Sequence, residues 1–395
     1  MKFSKLSQLF LVSSIGLLVA TFLTACQLVT VDYLFVASAS GIDTYAVDSQ
    51  SGALRTGASE ISTGVNAPVA MAVTSDYFHL YVANKGNNTI VHYTIASNGI
   101  LTVKDSVTLA TVPVSLAVNA AGTYLYVVSG STSATLTTYP LSSGTIGTAA
   151  SQTPLLIPGF TNDTVLPTGV AVLANSAAVF VTAYDRSAYN PGGTTTSTAS
   201  PGWVFSFSVG SGGALTPASG SPYKAGVKPS AVVAEPANRF VYVTDYASNE
   251  MVAYGITNGS TLTYLLNGPF KTGNEPAAIA VDPRGKFLYV ANELDSSVTA
   301  YSIDLTTGTP SQTVSASGSS INSTDAQPVA IAADPALGRF VYTANHLGNS
   351  VSGFRLDPTS GALTSTQASP YPSGQTPTAL VMVPHGNHSL QTISY

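Results

Sequence analysis

The chain alternates apolar and polar positions in short phrases rather than along amphipathic helices. One phrase places an aromatic between aliphatic residues and ends on a small or polar one. It reads Leu80-Tyr81-Val82-Ala83-Asn84, Leu125-Tyr126-Val127-Val128-Ser129, Val179-Phe180-Val181-Thr182-Ala183, Val241-Tyr242-Val243-Thr244-Asp245, Leu288-Tyr289-Val290-Ala291-Asn292 and Val341-Tyr342-Thr343-Ala344-Asn345, with Leu34-Phe35-Val36-Ala37-Ser38 as a shorter opening variant. A second phrase, a proline followed by small and apolar residues, begins at Pro68, Pro113, Pro167, Pro229, Pro276, Pro328 and Pro377. The interval from proline to aromatic is 13 residues in five cases and 14 in the sixth, which marks one repeated structural unit.

Within a unit, Ala277 to Val281 predicts a short buried strand, Asp282 to Lys286 a tight turn, Phe287 to Ala291 a second strand and Ser297 to Ile303 a third. A weaker fourth strand follows Gly308. Four antiparallel strands at a period of about 45 residues predict a propeller blade, with the small-residue strand packed around a central channel. The expected fold is an all-β, seven-bladed β-propeller. The chain opens on an aromatic strand and closes on a proline strand, so Thr378 to Val383 is expected to pair with Leu34 to Ser38 and close the ring. A β-sandwich or parallel β-helix leaves this phase offset unexplained.

Composition agrees with turns rather than helices: 34 Gly and 23 Pro in 395 residues, with only 8% charged against about 25% in an average soluble protein. A net charge of −5 offers no footprint for phosphate backbones, so nucleic acid is not expected as a partner. Lys2 and Lys5 precede an apolar run ending Leu23-Thr24-Ala25-Cys26, which reads as a secretory signal over residues 1–25 with the bacterial lipobox pattern. Cys26 is the sole cysteine and has no internal disulfide partner, so lipidation is its expected fate. Residues 26–30 then form a short tether, 31–384 the propeller and 385–395 a polar tail. Gln27 after the cysteine favours an outer-membrane address in the cell envelope.

The repeat resembles the YVTN-type repeat and the seven-bladed lactonase family, which includes 6-phosphogluconolactonase-like enzymes. Tyr289-Val290-Ala291-Asn292-Glu293-Leu294 carries the likeness most fully, since family members commonly have Asn-Glu-Leu there with the Glu serving the active site. Tyr81-Val82-Ala83-Asn84-Lys85-Gly86 resembles their Asn-Arg-Gly-His phrase. This chain departs from the family where Pro229-Ser230-Ala231-Val232 replaces Pro-His-Ala-His, and where His346 stands in place of an arginine.

In a propeller the loops after the second strand and before the first lie on one face, at the channel mouth. That face is expected to gather Lys228, Asp245, Glu275, Glu293 and His346 from three consecutive blades. Glu293 or His346 is a candidate base and Lys228 a candidate electrophilic partner, because opening a lactone needs activated water and a stabilised oxyanion. Asn84, Asp245, Glu275, Asn292, Asn345 and Arg186 are candidate ligand-binding residues, Arg186 lying in a long insertion from Tyr184 to Gly202. The bland alternative is that the Asn and Asp side chains brace tight loops. His385 and His388 have metal-capable spacing but no carboxylate or cysteine nearby, and neither a metal nor a cofactor is expected. Two functions follow: a monomeric, membrane-tethered module binding a small molecule, glycan or protein at the mouth, or a periplasmic lactone hydrolase.

Overall fold

The computed structural model describes residues 29–159, 164–189, 201–314 and 318–385. The signal segment and Cys26, most of the blade-four insertion, and His388 with the rest of the tail beyond His385 lie outside the described residues.

Seven antiparallel sheets form a ring of blades. From the channel outward, blade six runs Pro276–Val281, Phe287–Asn292, Ser297–Ile303 and then Pro310–Gln312, with Ile321–Ser323 continuing the outer edge. Its first three strands match the sequence expectation to within a residue. The fourth is divided here and in blades three, four, five and seven. Prolines lie along it, Pro217 and Pro310 within its first part and Pro269 and Pro370 just before its second, and a residue without an N–H is tolerated at a sheet edge.

Ring closure occurs as expected. Ala379–Pro384 is the innermost strand of the blade begun by Thr30–Ala37, with Leu34 opposite Met382 and Ala37 opposite Ala379. Both ends of the propeller are thereby held in one sheet, and neither leaves a free inner edge.

Every inner strand carries a β-bulge just after its proline in blades two to seven, for example between Pro68 and Ala70 and between Pro276 and Ala278. The bulge turns one extra residue toward the channel below the mouth. These residues are Val69, Val114, Thr168, Ser230, Ala277 and Val329. Hydroxyls among them are committed within the ring: Ser230 Oγ donates to the Pro276 carbonyl at 2.5 Å, and Thr168 Oγ1 to Thr182 Oγ1 at 2.9 Å.

The hydrophobic core is divided into clusters between neighbouring blades, built on the repeat aromatics Phe35, Tyr81, Tyr126, Phe180, Tyr242, Tyr289 and Tyr342, all fully buried. A glycine in the turn after the third strand seats an aromatic ring of the preceding blade. A Cβ on Gly308 would stand 2.3 Å from the Phe240 ring, and one on Gly52 would stand 2.4 Å from Phe340. Both glycines also have positive φ, 76° and 69°, so no other residue suits the turn. Phenols fasten the same seams: Tyr242 donates to the Gly308 carbonyl at 2.8 Å and Tyr342 to that of Gly52 at 2.6 Å. In blade two His79 takes the ring's place against Gly144, and it is backed by His92 at 2.9 Å and, through His92, by Asp105 at 2.8 Å.

Candidate functional site

One backbone bond, repeated in all seven blades, builds the channel mouth. The residue just past the second strand donates its N–H to the carbonyl just before the inner strand: Ala39 to Gln375, Lys85 to Ala67, Gly130 to Val112, Arg186 to Thr164, Tyr246 to Lys228, Glu293 to Glu275 and His346 to Gln327. Two rings of side chains therefore face one another across this end of the channel. Their chemistry is one-sided. Blades one to three contribute Ala39, Gln375, Lys85, Ala67, Gly130 and Val112, whereas blades five to seven contribute Lys228, Tyr246, Glu275, Glu293, Gln327 and His346.

The residues before the inner-strand prolines include Glu275, with φ 54°, and Gln327, with φ 58°. Left-handed backbone is costly for a side-chain-bearing residue and persists only when its surroundings hold it. At Glu275 the holder is Asn249, whose Oδ1 accepts the Glu275 N–H at 2.8 Å. The strained backbone aims the Glu275 carboxylate at the neighbouring blade, where Tyr246 donates its phenol to Glu275 Oε2 at 2.8 Å. Glu293 lies against the same phenol from the adjoining hairpin. Desolvation first, then the bond to Glu275 and the charge of Glu293, hold the Tyr246 hydroxyl well above the ordinary phenol range. It stays a donor at any physiological pH.

Lys228 stands over this cluster, its Nζ 4.2 Å from the centre of the Tyr246 ring and 5.4 Å from that of Tyr189. An ammonium over a phenol face is held by the ring quadrupole and keeps its donors free for a ligand. Tyr189 packs edge-on against Tyr184 with ring centres 5.6 Å apart, and its own phenol is pushed up by burial and by the charges of Glu275 and Asp245. His346, on the next blade, points its Nδ1 at the Pro377 carbonyl, 3.2 Å away. A carbonyl only accepts, so Nδ1 carries the proton of this bond.

The ring of Asn and Asp side chains is turned the other way. Asn84, Asp245, Asn292 and Asn345 are buried, with exposures of 0 to 2%. Asp245 accepts the N–H groups of Val227 at 2.7 Å and Lys228 at 2.8 Å. Asn84 accepts that of Asn66 at 3.0 Å, and Asn292 that of Gly273 at 3.1 Å, each gathering in the strand that leads to the mouth. Asn345 bonds Ser350 and Ser352 at 3.0 and 2.9 Å. These four position the mouth from inside their blades and present no free atom to it, because strand alternation sends the residue before each turn inward. Arg186 is exposed, at the rim beside Tyr184.

The blade-four insertion is shorter than the sequence suggests. Tyr184 pairs with Gly202 across the second and third strands, which run on to Asp185 and start at Gly202, so the strands themselves take up both ends of the insertion. Asp185 accepts bonds from Thr164 and Ser187 and so brakes the turn at that point. Tyr246 is the residue that sequence reading missed. Its signal was available: it holds the same repeat position as Glu293 and His346, one past the polar end of the aromatic phrase. A hollow of about 220 Å³ at the other end of the ring is lined mainly by Tyr33, Tyr77, Phe78, Ile95 and Val383, and has Asp76 as its one charged residue.

Solved structures with this architecture include a putative 6-phosphogluconolactonase from Bacteroides fragilis, 17% identical, with a TM-score of 0.73 over 90% of this chain and 98% of that one. The periplasmic gluconolactonase of Pseudomonas aeruginosa is 20% identical, with a TM-score of 0.72 over 90% of this chain and all of its own. No curated protein matches the sequence. The family described as lactonase, 7-bladed beta-propeller matches residues 39–158 and 222–390, leaving out only the ends and the stretch that holds blade four. With the seven blades, the closed ring and a match over most of its length, the chain belongs to the seven-bladed β-propeller lactonase family.

Proposed function

We propose that the protein hydrolyses a lactone at the channel mouth, with Glu293 as the base that activates water and with Lys228, seated on the Tyr246 ring, as the donor that meets the developing oxyanion. The observation that carries this reading is the convergence of Tyr246, Glu275, Glu293 and Lys228 on one phenol ring, in a chain with only 8% charged residues. Water adds to the lactone carbonyl and its proton passes to Glu293. The tetrahedral oxyanion is held by the Lys228 ammonium. The ring C–O bond then breaks, and the leaving alkoxide takes the proton back from Glu293, giving a hydroxy acid. Glu275 accepts the Tyr246 phenol proton and so orients the ring that carries Lys228, and His346 stands one blade away.

Family membership and two neighbours, one titled a putative 6-phosphogluconolactonase and one a gluconolactonase, support the hydrolase over pure binding, which is the second reading. Binding is favoured by the loss of the Pro-His-Ala-His histidines at Pro229 to Val232. Glu293→Gln decides between them. A hydrolase loses about a hundredfold or more in turnover, the usual worth of positioned acid-base assistance. A protein that turns over no lactone, or whose turnover is untouched by Glu293→Gln, is not this enzyme. The reading places the enzyme in the bacterial envelope, tethered to a membrane through lipid on Cys26.

A further inference from the structure

We propose that the lactone this site takes carries an apolar substituent, and is neither a sugar lactone nor a phosphorylated one; the inference rests on the hydrolase reading above. Three features of the mouth point the same way. A polyol needs many free donors and acceptors, yet the Asn and Asp ring that could supply them is buried and bonded within the blades. The hydroxyls at the bulges below are committed too, Ser230 to the next blade and Thr168 to its own second strand. A phosphate or carboxylate needs a cluster of cations, ideally a bidentate arginine. Here two carboxylates, Glu275 and Glu293, share the Tyr246 phenol whose ring carries Lys228, while the other cations of the mouth, Lys85 and Arg186, stand on blades two and four, so a dianion meets repulsion at the reacting centre.

The third feature is apolar surface beside those groups. Leu294 follows Glu293 and Leu347 follows His346, at the same turn position of neighbouring blades, and they are 62% and 60% exposed. Single exposed leucines are commonplace, but two at equivalent positions directly after the candidate base and the His346 imidazole form a ledge at the site. The rings of Tyr189 and Tyr246 add apolar surface beside Lys228. An alkyl or aryl group on the lactone ring lies on this surface while its carbonyl meets Lys228.

The test compares four lactones with the purified protein, following acid release with a pH indicator and subtracting spontaneous hydrolysis: δ-gluconolactone, 6-phosphoglucono-δ-lactone, δ-valerolactone and δ-decalactone, the last being δ-valerolactone with a pentyl chain. The expected kcat/KM for δ-decalactone exceeds each of the other three by about tenfold or more, since each methylene fully removed from water is worth about fourfold and the ledge covers the chain partly. The double variant Leu294→Ser/Leu347→Ser reduces the decalactone-to-valerolactone ratio severalfold. Leu266→Ser, at a position 94% exposed on the outer edge of blade five, leaves that ratio unchanged. Turnover of either sugar lactone as efficient as that of δ-decalactone, or a ratio untouched by the double variant, overturns the substrate class and leaves the hydrolase reading standing. No turnover of any of the four removes the hydrolase reading and this inference with it.

Discussion

Asp32 should make the ring more stable in mild acid than at neutral pH, and Asp32→Asn should abolish that dependence. The side chain is 0% exposed, at the end of the ring opposite the mouth, and neither carboxylate oxygen accepts a hydrogen bond from a donor among the described residues. Its neighbour is Asp334, whose oxygens already receive the N–H groups of Ala336, Leu337 and Arg339. Burial above all, and then the proximity of Asp334, hold the Asp32 carboxyl well above the usual carboxylate range. The folded state therefore keeps a proton that the unfolded chain has released. Between the ordinary carboxylate value and the raised one, stability falls as pH rises, by about 1.4 kcal/mol per pH unit for one proton. Below that window both states are protonated and the dependence disappears. Taking about 2.1 cal/mol/K per residue for the entropy of unfolding, a ring of this size has roughly 0.7 kcal/mol/K, so the slope amounts to about 2 °C of Tm per pH unit. Melting curves from pH 4 to 8 for both proteins, subtracted from one another, isolate the group. Asn has no charge to bury and offers an amide donor to Asp334, so the variant should gain Tm relative to the parent steadily as pH rises through the window. A difference that stays constant across the range would refute the reasoning.

Three further outcomes are expected. Deleting residues from Pro377 onward removes the innermost strand of blade one and exposes an edge of Thr30–Ala37, so the truncated chain should lose its cooperative melting transition by circular dichroism; a transition like the parent's would contradict closure as a requirement for folding. Gly308→Val places a Cβ 2.3 Å from the Phe240 ring on backbone at φ 76°, and should cost at least about 2 kcal/mol in denaturant unfolding, whereas Gly159→Ala, at φ 79° with nothing within 4 Å, should cost about 1 kcal/mol. Mass spectrometry of the membrane fraction should find an acylated Cys26 as the first residue, and Cys26→Ser should shift the protein out of that fraction; an intact Met1 to Ala25 segment on the mature protein would rule lipidation out.

Much of the fold could be read from the sequence because each blade is a local structure. The proline-to-aromatic spacing fixes where the first two strands begin, and period-two alternation fixes which residues they bury, so Ser297–Ile303 is found at its predicted bounds. Closure could be read for a similar reason: a strand phrase without a partner at each end of the chain has one place to pair. The candidate site was visible only as a set of positions near one face. Lys228, Glu275 and Glu293 were foreseen, but whether a side chain at a turn points into the mouth or back into its blade depends on one residue of register. That is why Asp245 and Asn292 are internal braces while their sequence neighbours Tyr246 and Glu293 face the channel. The meeting of Tyr246 with Glu275 joins two blades across 29 residues, and no local pattern encodes a contact between them. The Asp32–Asp334 pair is the extreme case, two carboxyls 302 positions apart in sequence that influence one another because the ring closes there. Sequence periodicity determined the blades; the bulges, the left-handed Glu275 and the closing of the ring decided which side chains share a surface, since those are long-range consequences of packing seven sheets around one axis.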